Sequence, residues 1–188
     1  MVPMVYERSV VEYVRVMRRL FKLKLTSEEY EGYLNATQCV WGADFTPLDI
    51  MALHRILFPQ CDDAGKYRQH AIFDTRNYRV KNLPASCVVS DFMRQKFAPV
   101  YAQALSLDMP KVPDVNYDPE MFAWCIGASF RCIRPFKRGN RQLSHLIENH
   151  VLHAYRRKWR TRPRPKFVFD HFRETGFREV FGHIYIDA

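Results

Sequence analysis

No stretch of this chain approaches the roughly 20 consecutive apolar residues that cross a bilayer. The apolar positions near its start are broken by Arg15, Arg18, Arg19, Lys22 and Lys24, so no membrane association is expected. The first 25 residues also lack a continuous apolar run followed by a small-residue cleavage site, which argues against export. Cysteine is sparse and irregularly spaced: Cys39, Cys61, Cys87, Cys125 and Cys132 are odd in number and form no C-x-x-C pair. That pattern fits an intracellular, reducing compartment, either the cytoplasm or an organelle such as the mitochondrion. The 7 histidines are scattered, and His145, His150 and His153 do not make the H-E-x-x-H pattern of a helical metal site, so no metal is expected. With only 7 glycines and 11 prolines in 188 residues, no repeat and no low-complexity tract, the chain is neither fibrous nor mainly disordered. What is present, 47% hydrophobic and 26% charged residues, is the composition of one well-buried globular domain.

Acid is scarce in one region. Met121 to Phe169 holds twelve Lys or Arg against a single acid, Glu148, a net charge of +11, whereas the remaining residues carry 17 basic and 19 acidic groups, a net −2. One cluster comprises Arg131, Arg134, Lys137, Arg138 and Arg141. The second comprises Arg156, Arg157, Lys158, Arg160, Arg162, Arg164 and Lys166, with Tyr155 and Trp159 among them. Such a field attracts polyanions, RNA or an acidic protein surface, because guanidinium groups bridge phosphates and each neutralised phosphate releases counterions. A plainer reading is a solvated face that keeps the protein soluble. Pro163 and Pro165 push Arg162 to Lys166 out of the helical region and into an extended arm.

Start signals for helices recur along the chain. Ser9 with Glu12 has capping-box spacing, and Val10, Val14, Met17, Leu20 and Phe21 share one face of a helix over about 9 to 24. Thr26 with Glu29 makes a second capping box, and Thr46-Pro47-Leu48-Asp49 a third start, with Pro47 expected at the first helical position and the helix ending before Pro59. Residues 69 to 82 read as a short β-hairpin flap around Asp74-Thr75-Arg76-Asn77. Another helical region follows Pro84, interrupted or kinked near Pro99, and Met109 to Pro113 reads as a loop. Asp118-Pro119-Glu120 opens a mostly apolar helix that ends near Cys132. Asn140 is expected to cap a last long helix with Leu143, Leu146, Ile147, Val151, Ala154 and Tyr155 on its buried side. Phe181 to Ile186 reads as a terminal strand.

Between the two central helices lies Ile133-Arg134-Pro135-Phe136-Lys137-Arg138-Gly139-Asn140-Arg141-Gln142-Leu143-Ser144-His145. On composition alone two readings stand: Gly139-Asn140 as an anion cradle at a helix N-terminus, with Arg134, Lys137, Arg138 and Arg141 around it, or as a turn and cap with Phe136 as a core anchor.

The order of helix, this loop and helix resembles the Fic (Fido) fold, whose signature is H-x-F-x-[DE]-G-N-G-R-x-x-R between two central helices. Gly65-Lys66-Tyr67-Arg68 is similar to the family's G-x-Y-R segment before the flap, and Leu53 to Phe58 to the helix before that. Asp118-Pro119-Glu120 and Phe130 to Ile133 resemble the helix that enters the loop. Ser27-Glu28-Glu29-Tyr30-Glu31-Gly32 resembles the family's inhibitory pattern [ST]-x-x-x-E-[GN], with Ser27, Glu31 and Gly32 at its defined positions; the plainer reading is an acidic helix start favoured by the dipole. The resemblance covers residues 26 to 156 and implies a mainly α architecture, a Fic-like helical bundle with a small hairpin flap. It would be preceded by an N-terminal helix, 1 to 25, and followed by a basic Arg/Pro-rich extension, 157 to 188.

Active members of that family transfer AMP or a related phosphate-containing group to a protein hydroxyl, which requires a base, a magnesium-holding acid and phosphate donors. Here the base position holds Arg134, which cannot accept a proton at ordinary pH, and the acid position holds Arg138, which repels a metal. Arg141 and Gln142 replace the second Gly and its Arg, His145 replaces the last Arg, and only Phe136, Gly139 and Asn140 remain. Loss of a general base costs on the order of 100 to 10,000-fold in rate. The expectation is a catalytically inactive Fic-like binding subunit of a larger assembly, a ribonucleoprotein in the first instance, with no cofactor required. The alternatives are a divergent nucleotidyltransferase and a regulatory pseudoenzyme that binds ATP or another nucleotide.

Overall fold

The computed structural model describes residues 25–43, 46–71, 86–105 and 119–155, with side chains from 123 in the last stretch, and residues 11, 12, 14, 15, 18 and 19, which are helical. The hairpin flap from residue 72 onward, the 109–113 loop, the basic arm and the terminal strand lie outside the described residues. The described chain is mainly α, and no strand occurs among its described residues.

Helix α1, Ser27–Gly42, begins where the capping box predicts. The Thr26 side chain accepts from the Glu29 amide at 3.2 Å and the Glu29 carboxylate accepts from the Thr26 amide at 3.0 Å, satisfying two donors that a bare helix end leaves open. Helix α2, Ile50–Leu57, starts later than its Thr-Pro signal suggests. Asp49, not Thr46, is the cap, because its carboxylate takes the amides of both Met51 and Ala52 at 2.9 and 3.0 Å, and Pro47 precedes the helix. The two helices approach closely at Gly32, where a Cβ would lie 2.5 Å from the Ile56 carbonyl oxygen.

Residues 86–105 form one helical run of uneven pitch: a 3₁₀ turn at Ser86–Val88, α3 at Val89–Phe92, a π-helical turn at Met93–Phe97 and α4 at Ala98–Leu105. The interruption expected near Pro99 is this widened turn. Pro99 has no amide to give and its ring crowds the carbonyl four residues back; the Ala98 amide reaches five residues back, to Met93, and the chain continues without a break.

The core forms around α5, Pro119–Ile133, and α6, Asn140–Ala154, joined by a six-residue loop. Every residue from Leu143 to Leu152 is buried, including His145, Glu148, Asn149 and His150. A helix enclosed on all sides cannot keep a polar stripe in solvent, and His150 finds its partner inside: the Tyr101 hydroxyl lies 2.6 Å from its Nδ1. The apolar side expected of α6 is therefore only part of its buried surface.

Candidate functional site

The loop leaving α5 is shaped by three local rules. Pro135 disfavours the right-handed helical conformation for its predecessor, and Arg134 takes φ 46°, ending the helix in the left-handed region. Gly139 holds φ 75° immediately before α6, and a Cβ there would fall on the Phe58 ring, so both space and backbone angle select glycine. Asn140 is the third. It was expected as a cap, but Gly139 occupies the cap position and the Asn140 side chain turns back into the loop. Its Oδ1 accepts from the Phe136 amide at 3.0 Å and its Nδ2 donates to the Phe136 carbonyl at 2.6 Å, an amide-to-backbone clasp that competes successfully with ordinary capping.

Phe136 is fully buried, as a core anchor requires. It stacks on the His54 ring with centroids 4.0 Å apart and planes 10° from parallel, and tilts against Tyr67 at 5.2 Å. Arg68, from the G-x-Y-R turn, is 5% exposed. It donates its backbone amide to the Pro135 carbonyl and its Nε to the Arg134 carbonyl, both at 2.8 Å. His54 completes the enclosure: Nδ1 accepts from the Gly65 amide at 2.9 Å, and Nε2 faces the Arg138 carbonyl at 3.3 Å. Burial, the largest influence, holds its pKa below the ordinary value of 6.5; the Arg138 carbonyl and the Asp63 charge pull the other way, and the Arg138 charge adds to the lowering.

His54 was not among the residues singled out from sequence. The signal was its position on the apolar face of α2, with Ile50, Leu53 and Leu57 at helical spacing around it.

Outside this locked interior the loop is cationic. Lys137, Arg138 and Arg141 are exposed, and Arg131 and Arg134 are half-buried. Arg138 Nε lies 3.9 Å from Asp63 Oδ1, an ion pair too long for a hydrogen bond. Magnesium, which the family resemblance implies, does not fit here: a guanidinium occupies the acid position, the adjacent carboxylate faces that guanidinium, and no group of three His, Cys, Asp or Glu among the described residues could hold a metal.

The remaining sequence-derived candidates fall in three places. His145 is 5% exposed inside α6, a packing position. Ser27 and Glu31 are exposed on α1, while Gly32 is buried at the α1–α2 approach. Arg156, Arg157, Lys158, Arg160, Arg162, Arg164 and Lys166 lie outside the described residues.

No family model matches the chain, and no curated protein matches it in sequence. Its likeness is to solved structures, of which 18 chains match. A Fic domain containing signaling protein from Bacteroides thetaiotaomicron aligns with a TM-score of 0.64 at 17% identity, over 80% of this chain and 64% of that one. A Fic family protein from Desulfovibrio desulfuricans aligns with a TM-score of 0.56 at 16% identity, over 96% of this chain and 56% of that one. This chain thus spans less than two thirds of the length of either, and at such identities it is the fold that is shared. The helical order, the loop between α5 and α6 and these two neighbours together make the fold Fic-like.

Proposed function

We propose that this protein is a non-catalytic Fic-like subunit that binds RNA within a larger, ribonucleoprotein assembly, using the basic loop and the Arg/Pro-rich arm as its contact surface. The observation that carries this reading is the division of the loop: its interior is filled by its own Phe136 ring and Asn140 amide, while its exterior presents Lys137, Arg138 and Arg141. The two positions where the family resemblance calls for a proton acceptor and a metal-binding acid hold Arg134 and Arg138, whose permanent charges suit phosphate contact and not proton transfer. The single acid of the basic window, Glu148, is buried in α6, while Lys137, Arg138 and Arg141 are exposed.

Sedimentation of the tagged protein from its native lysate, with and without ribonuclease, tests the reading. A heavy fraction dispersed by ribonuclease supports it; a free 22.4 kDa species argues against it. With purified protein, RNA affinity should fall steeply as salt rises and should weaken when Arg156, Arg157, Arg160, Arg162 and Arg164 are neutralised together. Binding indifferent to salt and to those changes would sink the proposal, and equal competition by an acidic polypeptide would redirect it to a protein partner.

A second reading, a nucleotide-binding pseudoenzyme, is favoured by one feature. The N-terminus of α6 has no side-chain cap and no acid in its first turn, so its amides are suited to an anion. Thermal stabilisation by ATP without turnover would support it, and transfer of label from a nucleotide to protein would instead indicate a divergent transferase.

A further inference from the structure

His54 is 1% exposed and ties three pieces of chain together: its own helix α2, the turn at Gly65 and the basic loop at Arg138. We propose that His54 is a positioning residue for the basic loop, and that protonation of its ring unseats the loop, making this contact face sensitive to acid. The inference deepens the reading of the loop as a contact surface, and rests on it only for its biological meaning.

The ring's protonation state follows from its partners. An amide donor, Gly65 N–H, points at Nδ1 from 2.9 Å, so Nδ1 carries a lone pair. The one hydrogen of the neutral ring is then on Nε2, facing the Arg138 carbonyl. A second proton has a single place to go, Nδ1, where it meets the Gly65 hydrogen donor to donor. The bond between α2 and the turn is lost, and a new charge appears 3.3 Å from a carbonyl whose own residue is a cation. The ring cannot escape by sliding, because Phe136 stacks on it at 4.0 Å and Phe58 tilts against it at 5.1 Å.

The surroundings decide the direction of the effect. Asp63 stabilises a cationic ring, while Arg138 opposes it. Arg55, beside Gly65, and Arg68, bonded to the Arg134 carbonyl, add positive charge around the same turn. On the helices packed against α2, the buried titratable groups are Tyr33 on α1 and His145, Glu148 and His150 on α6. The enclosed ring therefore resists its proton until the pH is below the ordinary histidine value of 6.5, and the latch opens on the acid side of neutrality.

The test uses the full chain, isotopically labelled and without nucleic acid, titrated from pH 7.5 to pH 5 by nuclear magnetic resonance, a range set about the histidine value. Expected is a His54 ring midpoint below 6.5, with the amide resonances of Gly65 and Gly139 moving along the same curve. In His54→Asn, the Asn Oδ1 can still accept from the Gly65 amide but cannot be protonated, so both amide shifts should become flat with pH. Gly65 and Gly139 amides that ignore the ring titration would overturn the inference, as would amides that still titrate in His54→Asn. If that variant does not fold, the co-titration in the unaltered protein decides alone. RNA plays no part in the readout, so a titrating latch on a protein that binds no RNA would overturn the proposed function alone, and RNA binding by a loop indifferent to His54 would overturn only the latch.

Discussion

Between Arg134 and Asn140 the chain has an inner side of Phe136 and the Asn140 amide, held by His54 and Arg68, and an outer side of Lys137 and Arg138 continued by Arg141. The inner side determines the loop's shape and the outer side its charge, and the Arg138 carbonyl, facing His54, joins the two. A stacked ring and a bidentate amide hold the backbone whether or not the cations are there. A loop so divided can exchange its exterior chemistry without losing its conformation. The division predicts that substitutions on one side change stability with little effect on binding, and substitutions on the other do the reverse.

The largest expected effect is on the inner side. Phe136→Ala removes the ring between His54, Tyr67 and Phe130 and should cost about 3–5 kcal/mol, read as a lowered midpoint in chemical denaturation. Asn140→Ala breaks both hydrogen bonds to Phe136 and exposes no new charge, so a loss of about 1–3 kcal/mol is expected in the same experiment. Neither should alter the salt dependence of RNA binding in the protein that remains folded.

On the outer side, neutralising Lys137, Arg138 and Arg141 together should change stability by no more than about 0.5 kcal/mol per substitution. The slope of log affinity against log salt should flatten by up to about 2 if all three meet phosphates of single-stranded RNA. A slope unchanged by the triple substitution would remove the loop from the contact surface and leave only the arm.

Arg134 stands on the boundary, and its variant sharpens the comparison. Its φ of 46° costs about 1 kcal/mol for a residue with a Cβ, so Arg134→Gly should stabilise by up to that amount, a rise of a few degrees in melting temperature, while weakening polyanion binding. A variant that loses both stability and binding would show that the guanidinium serves the interior as well.

The smallest effect concerns pH. Between 6.5 and the lower value of the folded ring, unfolded His54 binds a proton that the folded one refuses, so stability rises with pH through that window and this contribution is flat above it. Thermal melts of the unaltered protein and His54→Asn should converge in pH dependence above 6.5 and separate below it.

Much of the frame is legible in the sequence because its signals are local. The Thr26–Glu29 box, the Pro119 start and the irregular turn before Pro99 each depend on residues within one or two turns. The interior of the site is not local. Asn140 resembles an N-cap until the backbone of Phe136 is brought within 3.0 Å of it, and Pro47 resembles a first helical residue until Asp49 takes two amides at once. His54 is separated from Arg138 by 84 positions, and no spacing rule connects them. Arg134 and Arg138 could be read from sequence as departures from a motif, but the left-handed turn beneath one and the ion pair beside the other required the fold.

The widened turn at Met93–Phe97 carries a consequence for chain length. A π turn stores one extra residue inside a helix, and its wider winding takes up that residue so that Val89 and Phe92 on one side reach the same core as Tyr101 and Leu105 on the other. Removing one residue between 93 and 97 would return the turn to regular pitch with the buried faces of α3 and α4 still aligned, whereas a further residue wound in α-helical form would turn everything on one side of it through about 100°. This stretch should therefore accept a single-codon deletion among its exposed Arg94, Gln95 and Lys96 far more readily than a single-codon insertion there.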